Sequence, residues 1–212
     1  MRIVVSQNMT LDGRVEMLED WFDPARQDPE LSAELRRQTA QEDVLLLGRR
    51  TFEDLRGYWP RQSGDTTGVA AALDAADKRV VSSTLTDPRW RNTTVVPGDP
   101  LEAVRALRRA PGRDVVVTGS IRLAHALILA ALVDEFRMFT YPAWQGRGRS
   151  FFPDGFDVPH LRRVDGRVFP GGVVYAAYQP AGLDTPVRPR ASAAGADAGE
   201  ETLAGLGSEQ ED

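Results

Sequence analysis

Residues 44–51 read Val44-Leu45-Leu46-Leu47-Gly48-Arg49-Arg50-Thr51, and residues 114–120 follow the same plan as Asp114-Val115-Val116-Val117-Thr118-Gly119-Ser120. Each is a short, unbroken apolar run closed by glycine and then by a hydroxyl residue. Such a run suits a strand buried on both faces, as in a parallel sheet, although periodicity alone leaves a buried helix open. Glycine permits a tight turn at the strand end. Thr51 and Ser120 are then placed to cap a following helix. The second helix is well marked, because Leu123, Leu127, Ile128 and Leu132 recur at helical spacing.

The same alternation extends outward from these two runs. Ile3–Val5 is a strand, and Asp12-Gly13 is a turn. Asp28-Pro29 opens a helix with an N-cap and a first-turn proline, and Leu31 and Leu35 share one of its faces. A loop is expected through Tyr58-Trp59-Pro60 and a helical turn over Val69–Ala76. Val80-Val81 and Thr93–Val96 are strands. Asp99-Pro100 repeats the cap-plus-proline signal ahead of Leu101, Val104 and Leu107. Past residue 134 the pattern changes. Glu135–Tyr141 alternates, and Leu161–Phe169 and Val173–Tyr178 flank Pro170-Gly171-Gly172, the mark of an antiparallel hairpin. The expected fold class is therefore α/β. It is a mixed, mostly parallel central sheet of about eight strands, with helices on both faces and an antiparallel C-terminal hairpin.

Composition limits the function. The chain has 212 residues, is 42% hydrophobic and contains no cysteine, which excludes disulfides, thiol nucleophiles and thiolate metal sites. Of its 31 acids and 26 bases, seven and two lie from Gly182 onward, leaving 24 of each before it. A neutral body with an acidic tail argues against general nucleic-acid binding. Residues 182–212 hold no aromatic residue and are rich in Ala, Gly and acid, so they are expected to be a disordered tail beyond a folded domain over 1–181. Ile3-Val4-Val5 is too short for a signal-peptide core, and no stretch approaches the ~20 apolar residues of a membrane helix, so a cytoplasmic protein without membrane contact is expected.

Ligands of open α/β sheets bind beyond the carboxyl ends of the strands. Three such ends here suit an anion. Gly48-Arg49-Arg50-Thr51 combines a bare backbone, forked guanidinium donors and a helix start. Ser82 and Ser83 follow a strand and offer hydroxyls. Thr118-Gly119-Ser120-Ile121-Arg122 is a second strand–glycine–helix turn. Each alone also reads as an ordinary polar turn, but one polyphosphate could use all three. No G-x-G-x-x-G, P-loop or G-x-S-x-G pattern occurs. His125 and His160 are the only histidines, so no His-based metal site is expected. Gln145-Gly146-Arg147-Gly148 reads as a turn, and Asp134-Glu135 as a strand start.

At these same residues the chain resembles the dihydrofolate-reductase-like family that includes the C-terminal reductase domain of the bifunctional riboflavin-biosynthesis protein. The carriers are Ser6 with Thr10-Leu11-Asp12-Gly13, then Leu47 to Glu53, Val81-Ser82-Ser83, Val117 to Leu123, Leu132 to Glu135, Pro142, Gly146-Arg147-Gly148 and Phe152. The resemblance spans roughly residues 2–178. It implies NADPH as hydride donor and a small pteridine- or pyrimidine-like heterocycle as acceptor, in a homodimer paired through its sheet and late strands. It implies that Gly48, Arg49 and Thr51 hold the pyrophosphate, and that Ser82 and Ser83 sit near the 2′-phosphate. Gly119, Ser120, Ile121 and Arg122 would close over the phosphates. The loop from Ser6 to Gly13 would lie over the nicotinamide, with Asp12 near the substrate. On the residues themselves, Ser6, Thr10 and the aromatic Trp21, Phe22, Trp59 and Trp144 are expected to line the substrate pocket, and Asp12, or a water it orients, is the expected proton donor at a raised pKa. The sequence departs from the riboflavin reductases at Thr118, where they carry an acid before the glycine turn. That departure keeps open a non-catalytic nucleotide-binding module on the same fold.

Overall fold

The two glycine-terminated runs pair side by side at the centre of one sheet. The computed structural model describes residues 1–24, 28–155 and 160–181; the segment 182–212, expected to be a disordered tail, lies outside them. In chain order the elements are β1 (Arg2–Thr10), α1 (Pro29–Thr39), β2 (Glu42–Gly48), α2 (Arg49–Tyr58), α3 (Val69–Ala75), β3 (Lys78–Val81) and β4 (Thr93–Val96). They continue with α4 (Pro100–Arg109), β5 (Asp114–Thr118), α5 (Ile121–Leu129), β6 (Glu135–Tyr141), β7 (Leu161–Val168) and β8 (Val174–Pro180). The eight strands lie in the order β4-β3-β2-β5-β1-β6-β8-β7. Strands β4 to β6 in that order are parallel, and β8 and β7 close the sheet antiparallel. This is the mixed α/β sheet expected from the sequence, including the late hairpin.

Strand alternation divides the core. Ile3, Val5, Leu46, Val115 and Val117 point to one face and are covered by Val104 of α4 and Leu123, Leu127 and Ile128 of α5. The other face carries two separate clusters. Leu45, Leu47 and Val80 pack with Phe52 of α2 and Trp90. Phe139, Tyr141 and Tyr175 pack with Leu31 of α1. Each such aliphatic or aromatic side chain contributes about 1.5–3 kcal/mol by leaving water. Between the two clusters, β5 and β1 present Val116, Thr118, Val4 and Ser6 on this face, following the register Ser6↔Thr118. Val4 and Val116 are closed off, whereas Ser6 and Thr118, at the carboxyl end of this stretch, are half-buried, so the candidate cleft is the space between α1 and α2 at that end.

Helix starts follow local chemistry. The Asp28 carboxylate accepts the Glu30 and Leu31 N–H groups at 3.0 and 2.9 Å, and Asp99 accepts that of Leu101 at 2.8 Å. Helix α2 departs from expectation. It begins at Arg49 with Gly48 as N-cap, so Thr51 lies in its first turn and is not the cap. The extended glycine takes the chain straight from strand into helix. The loop expected at Tyr58-Trp59-Pro60 is instead the end of α2 followed by a single 3-10 turn, Trp59–Arg61.

Candidate cofactor and substrate site

The carboxyl ends of β3, β2, β5, β1 and β6 share one rim, because these neighbouring strands are parallel. That rim carries all three anion-friendly turns. Two of them are locked together. The Gly48 N–H donates to Ser120 Oγ at 2.6 Å, and the Ser120 N–H donates to Thr51 Oγ1 at 2.8 Å. Ser120 occupies the N-cap of α5, but its side chain caps nothing there. It reaches across to the neighbouring turn instead, so the capping expected of Ser120 is replaced by a cross-turn hydrogen bond. Gly119 and Ser120 both adopt left-handed backbone, with φ of 60° and 50°. A side chain on Gly119 would bring its Cβ to 2.7 Å from Thr51 Cγ2. Glycine is required there by both conformation and contact.

The result is two helix N-termini, of α2 and α5, set side by side with no side-chain cap on either. Uncapped N-termini present unsatisfied amides and a positive dipole end, which together favour a negative ligand. The amides of Gly48 and Ser120 are occupied internally, so the residues free to face an anion are those of the first turns. Around them stand exposed Arg49, Arg50 and Arg122. Arg49 pairs with Glu53 at 2.9 Å on the exposed helix surface, an arrangement of low strength that a phosphate can displace. Just past β3, the Ser82 hydroxyl accepts from the Thr84 and Leu85 N–H groups at 3.1 and 2.9 Å, forming a turn, while Ser83 is exposed.

The other expected site residues fall into place unevenly. Ser6 is half-buried beside Thr118 on one side and Arg137 on the other. Thr10 is fully buried, and its hydroxyl donates to Asp12 Oδ1 at 2.6 Å and accepts the Arg14 N–H. Asp12 is likewise committed. It also accepts the N–H groups of Gln145 and Gly146 at 3.2 and 2.8 Å, tying the loop after β1 to the loop after β6. These hydrogen bonds, led by that from Thr10, hold its carboxyl at about 2. The raised pKa expected for Asp12 as proton donor is therefore corrected: three donors stabilise its anion, and Asp12 is a brace. Trp59 lies at the far end of α2, ~15 Å along the axis from the helix N-terminus, packed edge-on against Tyr58. Trp21 and Phe22, other candidates for the pocket lining, pack against Tyr141 in the α1 cluster. Trp144 is 77% exposed.

Sequence reasoning missed a charged cluster on the cleft floor. Arg137, 6% exposed, donates from Nε to Glu135 Oε1 at 2.8 Å and from Nη2 to Asp114 Oδ2 at 2.7 Å. Arg2 bridges the same two acids from the edge. Glu42 lies beside Asp114 in register, and burial, aided by Asp114 and opposed by Arg137, pushes its carboxyl up to about 7. Above this floor, Glu34 of α1 is buried against Arg37 and Gln38, whose hydrogen bonds outweigh burial and hold its carboxyl below the usual range. The available signal was an arginine between apolar residues of an alternating strand.

The sheet order, the antiparallel β6-β8-β7 edge and the rim of helix N-termini define a dihydrofolate-reductase-like α/β fold. Dihydrofolate reductase from Enterococcus faecalis, solved with NADP(H) and RAB-propyl, superposes with a TM-score of 0.53 at 15% identity, covering 84% of this chain and 95% of that one. A candidate riboflavin biosynthesis protein from Shewanella sp. PV-4 superposes with a TM-score of 0.64 at 16% identity, covering 84% and 98%. Residues 2–175 match the RibD C-terminal domain, and the chain belongs to that family. It is also 30% identical over 178 residues to the uncharacterized protein YyaP of Bacillus subtilis strain 168, covering 84% of this chain and 94% of YyaP. Family and fold together support a reductase-like activity. Among the described residues no helix is long and apolar enough to cross a membrane, and no cluster of His, Asp and Glu could hold a metal ion.

Proposed function

We propose that the protein is an NADPH-dependent reductase of a small pteridine- or pyrimidine-like heterocycle. The observation that carries this reading is the pair of uncapped helix N-termini locked by the Gly48–Ser120 and Ser120–Thr51 hydrogen bonds. The residues present fit a dinucleotide. The first-turn amides of α2 and α5 and the guanidinium groups of Arg49 and Arg122 would hold the pyrophosphate. Ser83 and the adjoining turn after β3 would meet the 2′-phosphate. The nicotinamide end would lie in the cleft at Ser6 and Thr118, with the substrate ring beside it.

When bound, NADPH supplies a hydride, two electrons with one hydrogen, to an electron-poor C=N or C=O carbon, and a proton from solvent completes the reduction. The chain's part is to position both rings and to hold the cleft floor rigid. NADPH fluorescence titration tests the reading. Arg49→Ala is expected to weaken binding by about 10-fold, and NADH to bind about 10-fold or more weakly than NADPH, since each removes charge-assisted hydrogen bonds. Equal affinity for the two cofactors would remove the 2′-phosphate assignment.

A second reading, a nucleotide-binding module without turnover, is favoured by one observation: three hydrogen-bond donors hold the Asp12 carboxyl as an anion, and Thr118 stands where the riboflavin reductases carry an acid. NADPH oxidation with dihydrofolate or an aminouracil ribitol compound supports the enzyme; tight NADPH binding with no oxidation across such a panel supports the module.

A further inference from the structure

Arg137 has three hydrogen-bonding corners, and the fold satisfies two. Nε and Nη2 form one edge of the guanidinium, and that edge is turned to Glu135 and Asp114 at the amino end of the sheet. Nη1, at the third corner, is buried and has no hydrogen-bond partner among the described residues. The acceptors of the doubly bonded edge belong to residues nearer the amino end of the sheet than Arg137, and register places Ser6 and then Thr118 in the row beside Arg137. Leaving a guanidinium donor unpaired in a buried position is costly. Here the atom is closed to solvent, on the sheet face that α1 and α2 flank.

Resting on the reductase reading above, we propose that Arg137 is the residue that selects the substrate's ring edge, with Nη1 donating to an acceptor oxygen of the heterocycle. The arginine is held rigid by two carboxylates that Arg2 also braces, so its free corner is fixed before ligand arrives. A donor in that place accepts a ring carbonyl and rejects a ring amino group, which would oppose one donor to another. Selection of this kind is strong, because the wrong ring edge leaves a buried donor unpaired.

The test compares two probes of one ring shape, 5-aminouracil and 2,4-diaminopyrimidine, binding to the full chain saturated with NADP⁺, by calorimetry. Wild type is expected to bind 5-aminouracil at least about 10-fold more tightly than the diamine. Arg137→Lys keeps the charge beside Asp114 and Glu135 but lacks the third corner. It is expected to lose that preference while its NADPH affinity stays within about twofold of wild type. A co-structure of wild type with NADP⁺ and 5-aminouracil, which does not depend on the variant folding, should show a ring oxygen within hydrogen-bond distance of Nη1. Equal binding of the two probes, an unchanged preference in Arg137→Lys, or a ring oxygen placed elsewhere overturns the inference. NADPH binding without either probe binding also overturns it and leaves the reductase reading standing. Failure to bind NADPH strikes the reductase reading itself.

Discussion

Glu42 shows how one carboxyl on the cleft floor links the site to stability. Its folded pKa of about 7 lies above its ordinary value of 4.5, because burial and Asp114 disfavour the anion. Between those two values the folded protein keeps a proton that the unfolded chain has released. The contribution of Glu42 is therefore fully present below about pH 4.5 and is lost as pH rises through 7. Replacing Glu42 with Gln removes the titration while keeping the shape. Urea unfolding is expected to show Glu42→Gln more stable than wild type at pH 8 by the order of 1–2 kcal/mol, a figure reduced for the partial exposure of the group, with little difference at pH 4.5. An equal difference at both pH values would contradict the assignment. Asp12 behaves in the opposite sense, since three donors hold its anion, and this is why the proton-donor role expected of it does not survive the geometry. Nothing in Thr10-Leu11-Asp12-Gly13 as a string records that Gln145 and Gly146, far along the chain, would complete its hydrogen bonding.

Among the elements, the glycine turns after β2 and β5 act as one unit. Thr51→Val keeps the volume of the side chain but removes the acceptor for the Ser120 N–H. It is expected to lower stability by about 1 kcal/mol and to weaken NADPH binding, because the two helix N-termini lose their registration. Chemical denaturation and cofactor titration of the same variant read the two effects. A variant with lowered stability and unchanged NADPH binding would show that the lock serves the fold alone. The elements themselves were largely legible. Val44–Leu47 and Val115–Val117 are apolar runs that suit a central parallel strand, and Pro170-Gly171-Gly172 marked the hairpin of β7 and β8. The cap of α2 was missed by three residues, since an extended glycine can itself serve as N-cap. Lys78, which opens β3 ahead of the expected Val80-Val81 strand, was legible neither as a strand residue nor as a buried one. Its ammonium reaches Leu73 O and Ala76 O at the end of α3 and lies over Trp90, partners set only by tertiary packing.

For the whole molecule, the edge of the sheet suggests how two copies would meet. Strand β7 is exposed along nearly all its length, and Val164, Val168 and Val174 leave apolar surface on β7 and β8. An exposed edge strand with apolar side chains is a template for pairing. On this basis we propose a homodimer through β7 and β8. Sedimentation is expected to give a dimer for wild type and a monomer for Val168→Arg, whereas a monomeric wild type would remove the proposal. That the three turns share one rim was legible at this scale too, because it needs only strand order and direction. The cleft floor was not, since Arg2, Glu42, Asp114, Glu135 and Arg137 come from four separate strands and meet only once the sheet is assembled. The most direct test of the account is a crystal structure of the protein with NADP⁺ bound. It should show the pyrophosphate against the first-turn amides of α2 and α5, with the nicotinamide beside Ser6 and Thr118. A pyrophosphate bound away from the Gly48 and Gly119 turns would contradict it.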